Sequence, residues 1–119
     1  MEIQQELRAD VAVLRLLGRA MGGPEMMSFY DQIKALVSED ITKVVLDCSM
    51  VTVIGGDYMS GALMKSLVLL KKHGGDLRVA CFNPQKAHYH AIGLFEVAKL
   101  FKLFDTVDEA VVSFTESPP

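Results

Sequence analysis

One acidic residue stands where a strand-like run meets a helix-like run, in the sequence VTVIGGDYMSGALMKSL at residues 51–67. Asp57 follows Gly55 and Gly56, and the segment 57–73 is predicted to be a helix. Aspartate is favoured at such a start because its carboxylate accepts hydrogen bonds from free amides and suits the positive end of the helix dipole. Asp57 is therefore either a helix cap alone or a charge with a regulatory or binding role.

The other residues that could bind metal or carry out catalysis do not form a recognised site. His88 and His90 are two apart in a predicted helix and would point to different faces, which disfavours a metal site. Cys48 and Cys81 lie in separate apolar runs without metal or redox spacing, and they are predicted to be buried free thiols. The sequence also contains no P-loop motif, no HExxH and no GxSxG. We therefore predict no cofactor, no metal and no enzymatic activity.

Asp47 ends the apolar run VVLDC, as the phosphate-accepting aspartate of response-regulator receiver domains ends a strand. A receiver site also needs a pair of acids after an early strand. In this chain the early run VAVLRLL is followed by Gly18, Arg19 and Ala20. The sequence therefore argues against phosphorylation of Asp47.

The composition is that of a globular protein rather than a disordered one, with 50% hydrophobic and 23% charged residues in 119. The formal net charge of −3 disfavours nucleic acid and acidic lipid as partners. The N-terminus MEIQQELRAD has no secretory apolar segment, and the apolar stretch at residues 58–70 is shorter than the roughly 20 residues that span a bilayer. We expect a cytoplasmic protein without direct membrane insertion, in which residues 1–116 form one domain and 117–119 a frayed tail.

Strand-like and helix-like patterns alternate along the chain after an N-terminal hairpin with its turn at Asp10. Pro24 suits the first turn of a helix, Gly74 and Gly75 are expected to end another, and Thr106 begins a capping box. Strands are predicted at residues 3–7, 11–18, 43–48, 77–82 and 100–104, and helices at 24–37, 57–73, 84–94 and 106–114. Because crossover helices require parallel pairing, we predict an α/β fold with one mostly parallel sheet and an antiparallel N-terminal strand.

The helix predicted at residues 57–73 is apolar over more than one stripe, and Met59, Leu63, Leu67 and Leu70 form one row. Such a helix is either covered deeply by the core or retains an exposed patch for a partner. A second copy of the chain, forming a homodimer, is one candidate for covering it. The sequence leaves these alternatives open.

Four segments, VAVLRLLG, LDCSMVTVI, KKHGGDLRVA and IGLFEVAKLFKLFDTVDEAV, follow one another over nearly the whole chain. Their order and spacing resemble the STAS domain, a family that includes anti-sigma factor antagonists and the cytoplasmic tails of sulfate transporters. The resemblance implies an α/β domain with its helices gathered on one side, and a non-enzymatic role in bacterial signalling and transcription regulation. In the antagonist branch, an anti-sigma factor with serine kinase activity binds the domain and phosphorylates a serine in a DSSG-like motif.

The chain departs from this family in the regulatory loop, where GGDY at residues 55–58 stands over DSSG. Asp57 then occupies the phosphoserine position and would supply a permanent negative charge where relatives gain and lose phosphate. One extra residue in the loop would bring Tyr58 there instead, and Ser60 is the fallback phosphoacceptor. The resemblance thus implies a regulatory loop of Gly55, Gly56, Asp57 and Tyr58, and a partner-binding surface of Met21, Asp57, Tyr58 and Met59.

Two functions follow from the resemblance. The first is a protein-interaction switch of the anti-sigma factor antagonist type, which binds a serine kinase-type anti-sigma factor while Asp57 replaces the phosphoserine. The alternative is a STAS scaffold or ligand-binding subunit of a stress-signalling or membrane-transport complex. Native mass spectrometry of the protein from its host would distinguish them, because the first predicts a kinase-type partner and the second a bound ligand or a transporter ATPase.

Overall fold

A mixed sheet forms the centre of the computed structural model, which describes residues 2–20, 24–55, 57–82, 89–90 and 100–115. Its strands are β1 Glu2–Arg8, β2 Val11–Ala20, β3 Lys43–Gly55, β4 Asp76–Ala80, β5 Tyr89–His90 and β6 Leu103–Phe104. They lie in the order β1-β2-β3-β4-β6, and β5 pairs with β3 beside that path. β1 is antiparallel to β2, and the other pairings of the described strands are parallel. The predicted α/β class with an antiparallel N-terminal strand is confirmed.

Among the described residues, three helices cover the two faces of this sheet: α1 Pro24–Ser38, α2 Asp57–Lys72 and α3 Val107–Thr115. α1 and α2 pack on one face, where Phe29, Ile33 and Leu70 are fully buried. α3 packs on the opposite face, where Ala110 and Phe114 contact a separate apolar cluster. The prediction that the helices gather on one side is therefore wrong for α3.

The reason for this arrangement lies in the central strands, which are apolar on both faces. Val11 to Leu14 in β2 and Val44 to Leu46 in β3 are each at most 1% exposed. Side chains of a strand alternate between the faces, so such continuous runs need cover on both sides. α3 supplies that cover for Val11, Val13 and Val45.

The structure corrects the sequence prediction in the second half of the sheet. β3 continues to Gly55 instead of ending at Cys48, and so it extends beyond the last residue of β4, Ala80. Tyr89 and His90 pair with this extension as β5, although the sequence predicts a helix at residues 84–94. The remainder of that predicted helix lies outside the described residues, as does the frayed tail predicted at 117–119. The strand predicted at 100–104 is reduced to the two residues of β6.

The helix ends agree with the capping signals in the sequence. After α2 ends at Lys72, the Gly75 amide donates a hydrogen bond to the Leu70 carbonyl at 2.8 Å. Before α3, the Glu109 amide donates to Thr106 Oγ1 at 3.1 Å, which is the first half of the predicted capping box. Among the described residues, no helix combines the length and hydrophobicity needed to cross a membrane.

Candidate functional site

The junction between β3 and α2 lies at the carboxyl edge of the sheet. Gly55 is the last residue of β3 and Asp57 is the first of α2, so a single residue separates strand from helix. On one side of β3, Ala20 at the end of β2 pairs with Ile54, and on the other side β5 pairs with the same end of β3. Three strands therefore end around the start of α2, in the position where open α/β sheets commonly bind ligands.

Asp57 begins a helix of 16 residues, so its charge belongs to the first turn of α2. The amino end of a helix carries partial positive charge and free amides, and a negative group there stabilises the helix by about 0.3–1 kcal/mol. Tyr58, Met59 and Ser60 occupy the same first turn, and Gly55 ends the strand before it. The structure describes the backbone of these residues, and so the capping hydrogen bond of Asp57 stays a prediction.

The predicted loop and partner surface are brought together only in part. Gly55, Asp57 and Tyr58 form a compact strand–helix junction rather than a long loop, and Met59 follows in the helix. Gly56 and Met21 lie outside the described residues. In the chain, Met21 directly follows the β2 residue that pairs with Ile54 of β3.

β3 contains two irregularities before it reaches the junction. Arg15 pairs with Asp47 and Leu17 with Met50, so β3 advances three residues while β2 advances two. A second shift occurs where β2 passes from Gly18 to Arg19. Bulges of this kind accommodate extra residues inside a strand and increase its local twist. β3 therefore takes up its additional residues upstream of Gly55.

An ion pair with a buried carboxylate stands at the first of these bulges. Asp47 is 1% exposed, its Oδ2 lies 2.8 Å from Arg15 Nε, and its Oδ1 accepts a hydrogen bond from the Ser49 amide at 2.9 Å. Burial alone raises the pKa of Asp47, but the hydrogen bonds from Arg15 and Ser49 outweigh it and hold this pKa below its usual value. The carboxylate is thus ionised and engaged at both oxygens, which suits a structural anchor and not a phosphate acceptor.

This pair was not predicted from the sequence, although both of its charged residues stand out there. Arg15 is the charged residue inside VAVLRLLG, and Asp47 is the charged residue inside VVLDCS. Two opposite charges in two apolar strands predict a cross-strand pair once the register is known. Only the parallel register of β2 and β3 shows that they are directly opposite.

The two cysteines lie near this anchor but belong to different layers of the core. Cys48 is fully buried on the α1 and α2 face, and its burial raises the pKa of its thiol to about 12. Cys81 has a positive φ of 62° and packs on the α3 face. Burial raises the pKa of the Cys81 thiol, and the nearby Asp47 carboxylate raises it further. Both thiols are predominantly protonated at neutral pH. The prediction of buried free thiols is confirmed for Cys48, whereas Cys81 is only partly buried.

Thiol labelling tests this assignment. We expect a thiol-specific reagent at mildly alkaline pH to label Cys81 slowly in the native protein and to label Cys48 only after unfolding, because the thiolate is the reactive form. In a Cys81→Ser variant, labelling should therefore follow global unfolding in a denaturant series monitored by mass spectrometry. Rapid labelling of that variant under native conditions would contradict the burial of Cys48.

The outer side of α2 carries a groove shared with α1. Ala62, Leu63 and Leu67 are buried, whereas Val68 is 61% exposed. The groove has a volume of about 480 Å³, and its lining residues are Tyr30, Met64, Lys65, Val68, Leu69 and Lys72. The apolar character of α2 is therefore explained mainly by the core, with one exposed apolar strip between lysines.

The part of the chain that the structure describes holds no group of three or more His, Cys, Asp or Glu residues suited to a metal ion.

Comparisons with known proteins agree on the fold. The STAS domain family model matches residues 3–110. A search of curated proteins found no match. The chain is similar to a solved anti-sigma factor antagonist of Mycobacterium paratuberculosis, with 23% identity, coverage of 97% of this chain and 94% of that one, and a TM-score of 0.77.

Two further solved structures extend this similarity. SpoIIAA, a cell fate determinant of Bacillus, matches in its unphosphorylated form with 13% identity, 98% of this chain, 100% of that one and a TM-score of 0.73. RsbS of Moorella thermoacetica, in a variant with a serine replaced by glutamate, matches with 13% identity, 97% of this chain, 96% of that one and a TM-score of 0.74. At these identities the structural similarity shows the fold alone.

Proposed function

Because the chain belongs to the STAS domain family, we propose that it is a protein-interaction switch of the anti-sigma factor antagonist type, in which Asp57 stands in place of a phosphorylated serine. Its partner is an anti-sigma factor with serine kinase activity. The observation that carries the proposal is the position of Asp57 as the first residue of α2, at the carboxyl edge of three strands. The proposal assigns binding rather than catalysis, and it places the protein in the cytoplasm, where sigma factors act.

The electrostatics of a helix start support a lasting charge at this position. A phosphoserine carries about −1.5 to −2 charges at neutral pH, and an aspartate carries one. Both interact favourably with the free amides and the positive dipole end of a helix. Asp57 therefore resembles the phosphorylated state in sign and place, with about half of the charge. An acid is also compatible with the fold of a relative, since the RsbS structure carries glutamate in place of a serine.

We infer that Asp57, rather than Tyr58, is the residue at the phosphoserine position, and that the extra residue lies at the bulges of β3. An extra residue in the junction would move Tyr58 to that place. The segment of β3 from Asp47 to Val53, which precedes Gly55, contains two more residues than the segment of β2 that pairs with it. Only one residue separates Gly55 from Asp57, and this leaves little room for an insertion there.

The test is to measure binding and phosphate transfer with the serine kinase-type anti-sigma factor encoded in the same genome. Since phosphorylation releases antagonists of this family from the kinase, we expect Asp57→Asn to tighten binding about tenfold, or about 1.4 kcal/mol. We expect the unmodified chain to accept no phosphate. Isothermal titration calorimetry measures the first effect, and intact-protein mass spectrometry after incubation with ATP measures the second.

Asp108→Asn is the matched control, because Asp108 is an exposed acid in the first turn of α3. Its substitution should leave the affinity unchanged. Equal affinities of the Asp57→Asn variant and the unmodified chain would refute a regulatory charge at residue 57. Stoichiometric phosphorylation at Ser60 would refute the loss of the phosphoswitch while leaving the family role intact.

The groove between α1 and α2 favours a second candidate function, a STAS scaffold or ligand-binding subunit of a stress-signalling or membrane-transport complex. The groove combines apolar side chains with Lys65 and Lys72, which is a lining suited to an amphipathic molecule with an acidic group. Native mass spectrometry of protein purified from its host separates the two functions. A bound small molecule or a transporter ATPase would favour the second, and a kinase-type partner the first.

A further inference from the structure

The outer edge of β1 is available for pairing, because β1 is at the end of the sheet and no described strand pairs with that edge. β1 pairs with β2 over all seven residues, Glu2↔Leu17 to Arg8↔Val11, without a register shift. Natural edge strands are usually protected by charged side chains, lysine above all, by proline, by a bulge or by short length. β1 contains neither lysine nor proline, and its charged residues Glu2, Glu6 and Arg8 share the face opposite to that of Ile3, Gln5 and Leu7. A seven-residue edge without a bulge, with its charges confined to one face, is a site for another strand.

The hairpin turn determines which backbone groups this edge offers. The two-residue turn at Ala9 and Asp10 follows directly on the pair of Arg8 with Val11. The backbone amide and carbonyl groups of Arg8, and of every second residue before it, therefore bond to β2. Ile3, Gln5 and Leu7 therefore direct their amide and carbonyl groups away from the sheet. These six groups are evenly placed around Gln5, the central residue of β1.

We propose that this edge pairs with β1 of a second copy of the chain, antiparallel and with Gln5 opposite Gln5 on the two-fold axis. In that register, Ile3 and Leu7 of one copy lie opposite Leu7 and Ile3 of the other. All outward amides and carbonyls then find partners, giving six interchain hydrogen bonds by the alternation of antiparallel ladders. A two-fold axis through Gln5 is also the arrangement that pairs all seven residues of each strand.

The side chains complement one another in the same register. Leu7 is 53% exposed in the single chain, and Ile3 packs against the core under α1 and α2. Placing Ile3 of one copy opposite Leu7 of the other would cover the exposed leucine of both copies. On the other face, Glu2 lies opposite Arg8, a pair of opposite charge. Arg8 is already held in place by Glu6 at 2.9 Å and by Asp108.

The size of this contact predicts a dimer that depends on concentration. A single strand pair buries less area than the interfaces of obligate dimers, and the charges around Arg8 are partly satisfied within each copy. The interface does not include the β3–α2 junction, because β1 pairs with β2 only as far as Leu17, whereas the junction follows the pairing of Ala20 with Ile54 on the other side of β2. Dimerisation and binding at Asp57 are therefore separable.

Cysteine substitution tests the register directly, in a Cys81→Ser background where Cys48 is fully buried. Gln5→Cys should form an interchain disulfide with oxidised glutathione, since hydrogen-bonded antiparallel residues have Cα atoms about 5.5 Å apart, within the range for disulfides. Gln4→Cys is the matched control. In the proposed register, residue 4 of one copy lies opposite residue 6 of the other. The two cysteines at position 4 are therefore about 7 Å apart along the strands and should not form a disulfide. Equal crosslinking of both variants, or none with Gln5→Cys, would overturn the proposal.

Sedimentation equilibrium of the unmodified chain tests the surface independently. We expect a monomer–dimer equilibrium that Leu7→Lys weakens at least tenfold, because lysine would replace an apolar cross-strand contact. Leu103→Lys on β6, the opposite end of the sheet, is the control, since Leu103 is 47% exposed and should not affect the equilibrium. A chain that stays monomeric at its highest soluble concentration, or a dimer that Leu103→Lys dissociates instead, would refute the assignment.

Discussion

Replacing Arg15 with leucine is expected to lower the free energy of unfolding by about 2–3 kcal/mol at neutral pH. The substitution leaves the Asp47 carboxylate, which is 1% exposed, without the guanidinium that lies 2.8 Å from it. Removing one partner of a buried pair commonly costs more than removing a surface pair, because the remaining charge stays desolvated. The expected loss is at or below the lower limit of the about 3–5 kcal/mol that is typical of buried pairs, because Arg15 is 33% exposed and water can approach its former place. Urea denaturation followed by circular dichroism measures the effect.

The effect should depend on pH in a defined direction. In the intact protein the pKa of Asp47 lies below the ordinary value of 3.8, so the stabilisation is complete above that value and is lost as the pH falls through the lowered pKa. In the Arg15→Leu variant, burial remains without the guanidinium, and the pKa of Asp47 should rise above 3.8. A penalty then develops as the pH increases past 3.8. The difference in stability between the two proteins should therefore be largest at neutral pH and shrink as the pH is lowered.

Arg8→Leu is the matched control for Arg15→Leu. Arg8 has the same exposed fraction, 33%, but its partners Glu6 and Asp108 are 50% and 86% exposed. Exposed pairs contribute about 0.2–1 kcal/mol, so this variant should be nearly as stable as the intact protein at low protein concentration. An equal loss for the two variants, without a pH dependence for Arg15→Leu, would show that the burial of Asp47 is not what matters.

Replacing Gly75 with alanine is expected to destabilise the protein by about 3 kcal/mol or more. A Cβ at this position would stand 1.8 Å from the Thr42 carbonyl oxygen, which is backbone and cannot rotate aside. That same oxygen accepts a hydrogen bond from the Asp76 amide at 3.1 Å, where β4 begins beside β3. Relieving the clash would therefore separate two strands at their start. The free energy of unfolding in urea measures the loss.

Two other glycines provide the controls for Gly75→Ala. Gly74 has a φ of +83° but open space at its Cβ position, so Gly74→Ala should cost about 1 kcal/mol through backbone strain. Gly61 lies inside α2 with open space around it, and Gly61→Ala should stabilise the protein by about 0.5–1 kcal/mol. A Gly75→Ala variant no less stable than Gly74→Ala would mean that the Thr42 backbone yields easily.

Local signals in the sequence were sufficient for most element ends. The start of α2 at Asp57 follows the residue preference for helix starts. The termination of α2 before Gly74 and Gly75 and the cap of α3 at Thr106 depend on hydrogen bonds within a few residues. Such bonds involve residue types that can be read directly. β5 could not be predicted in this way, because Tyr89 and His90 form a strand only where β3 extends beyond β4. Their own neighbours in the chain favour a helix.

The candidate site shows the same division. The sequence placed Asp57 at a strand–helix junction, and the resemblance implies a regulatory role for a charge there. The anchor formed by Arg15 and Asp47 was missed, because these residues are 32 positions apart and meet only through the register of β2 and β3. The prediction that the helices gather on one side of the sheet was also wrong for α3. An apolar helical stripe predicts burial, but it does not say which of two apolar sheet faces it will cover.

The amino-acid sequence by itself therefore determined the α/β class, the antiparallel first strand, the ends of α2 and the acidic residue that begins it. These features depend on short-range hydrogen bonding and on the periodicity of apolar side chains. The tertiary structure alone decided the bulges of β3, the burial of Asp47 against Arg15, the close approach of Gly75 to Thr42 and the position of β1 at the end of the described strands. Each of these depends on which distant segments lie side by side, and that is settled only when the whole chain buries its apolar surface on both faces of one sheet.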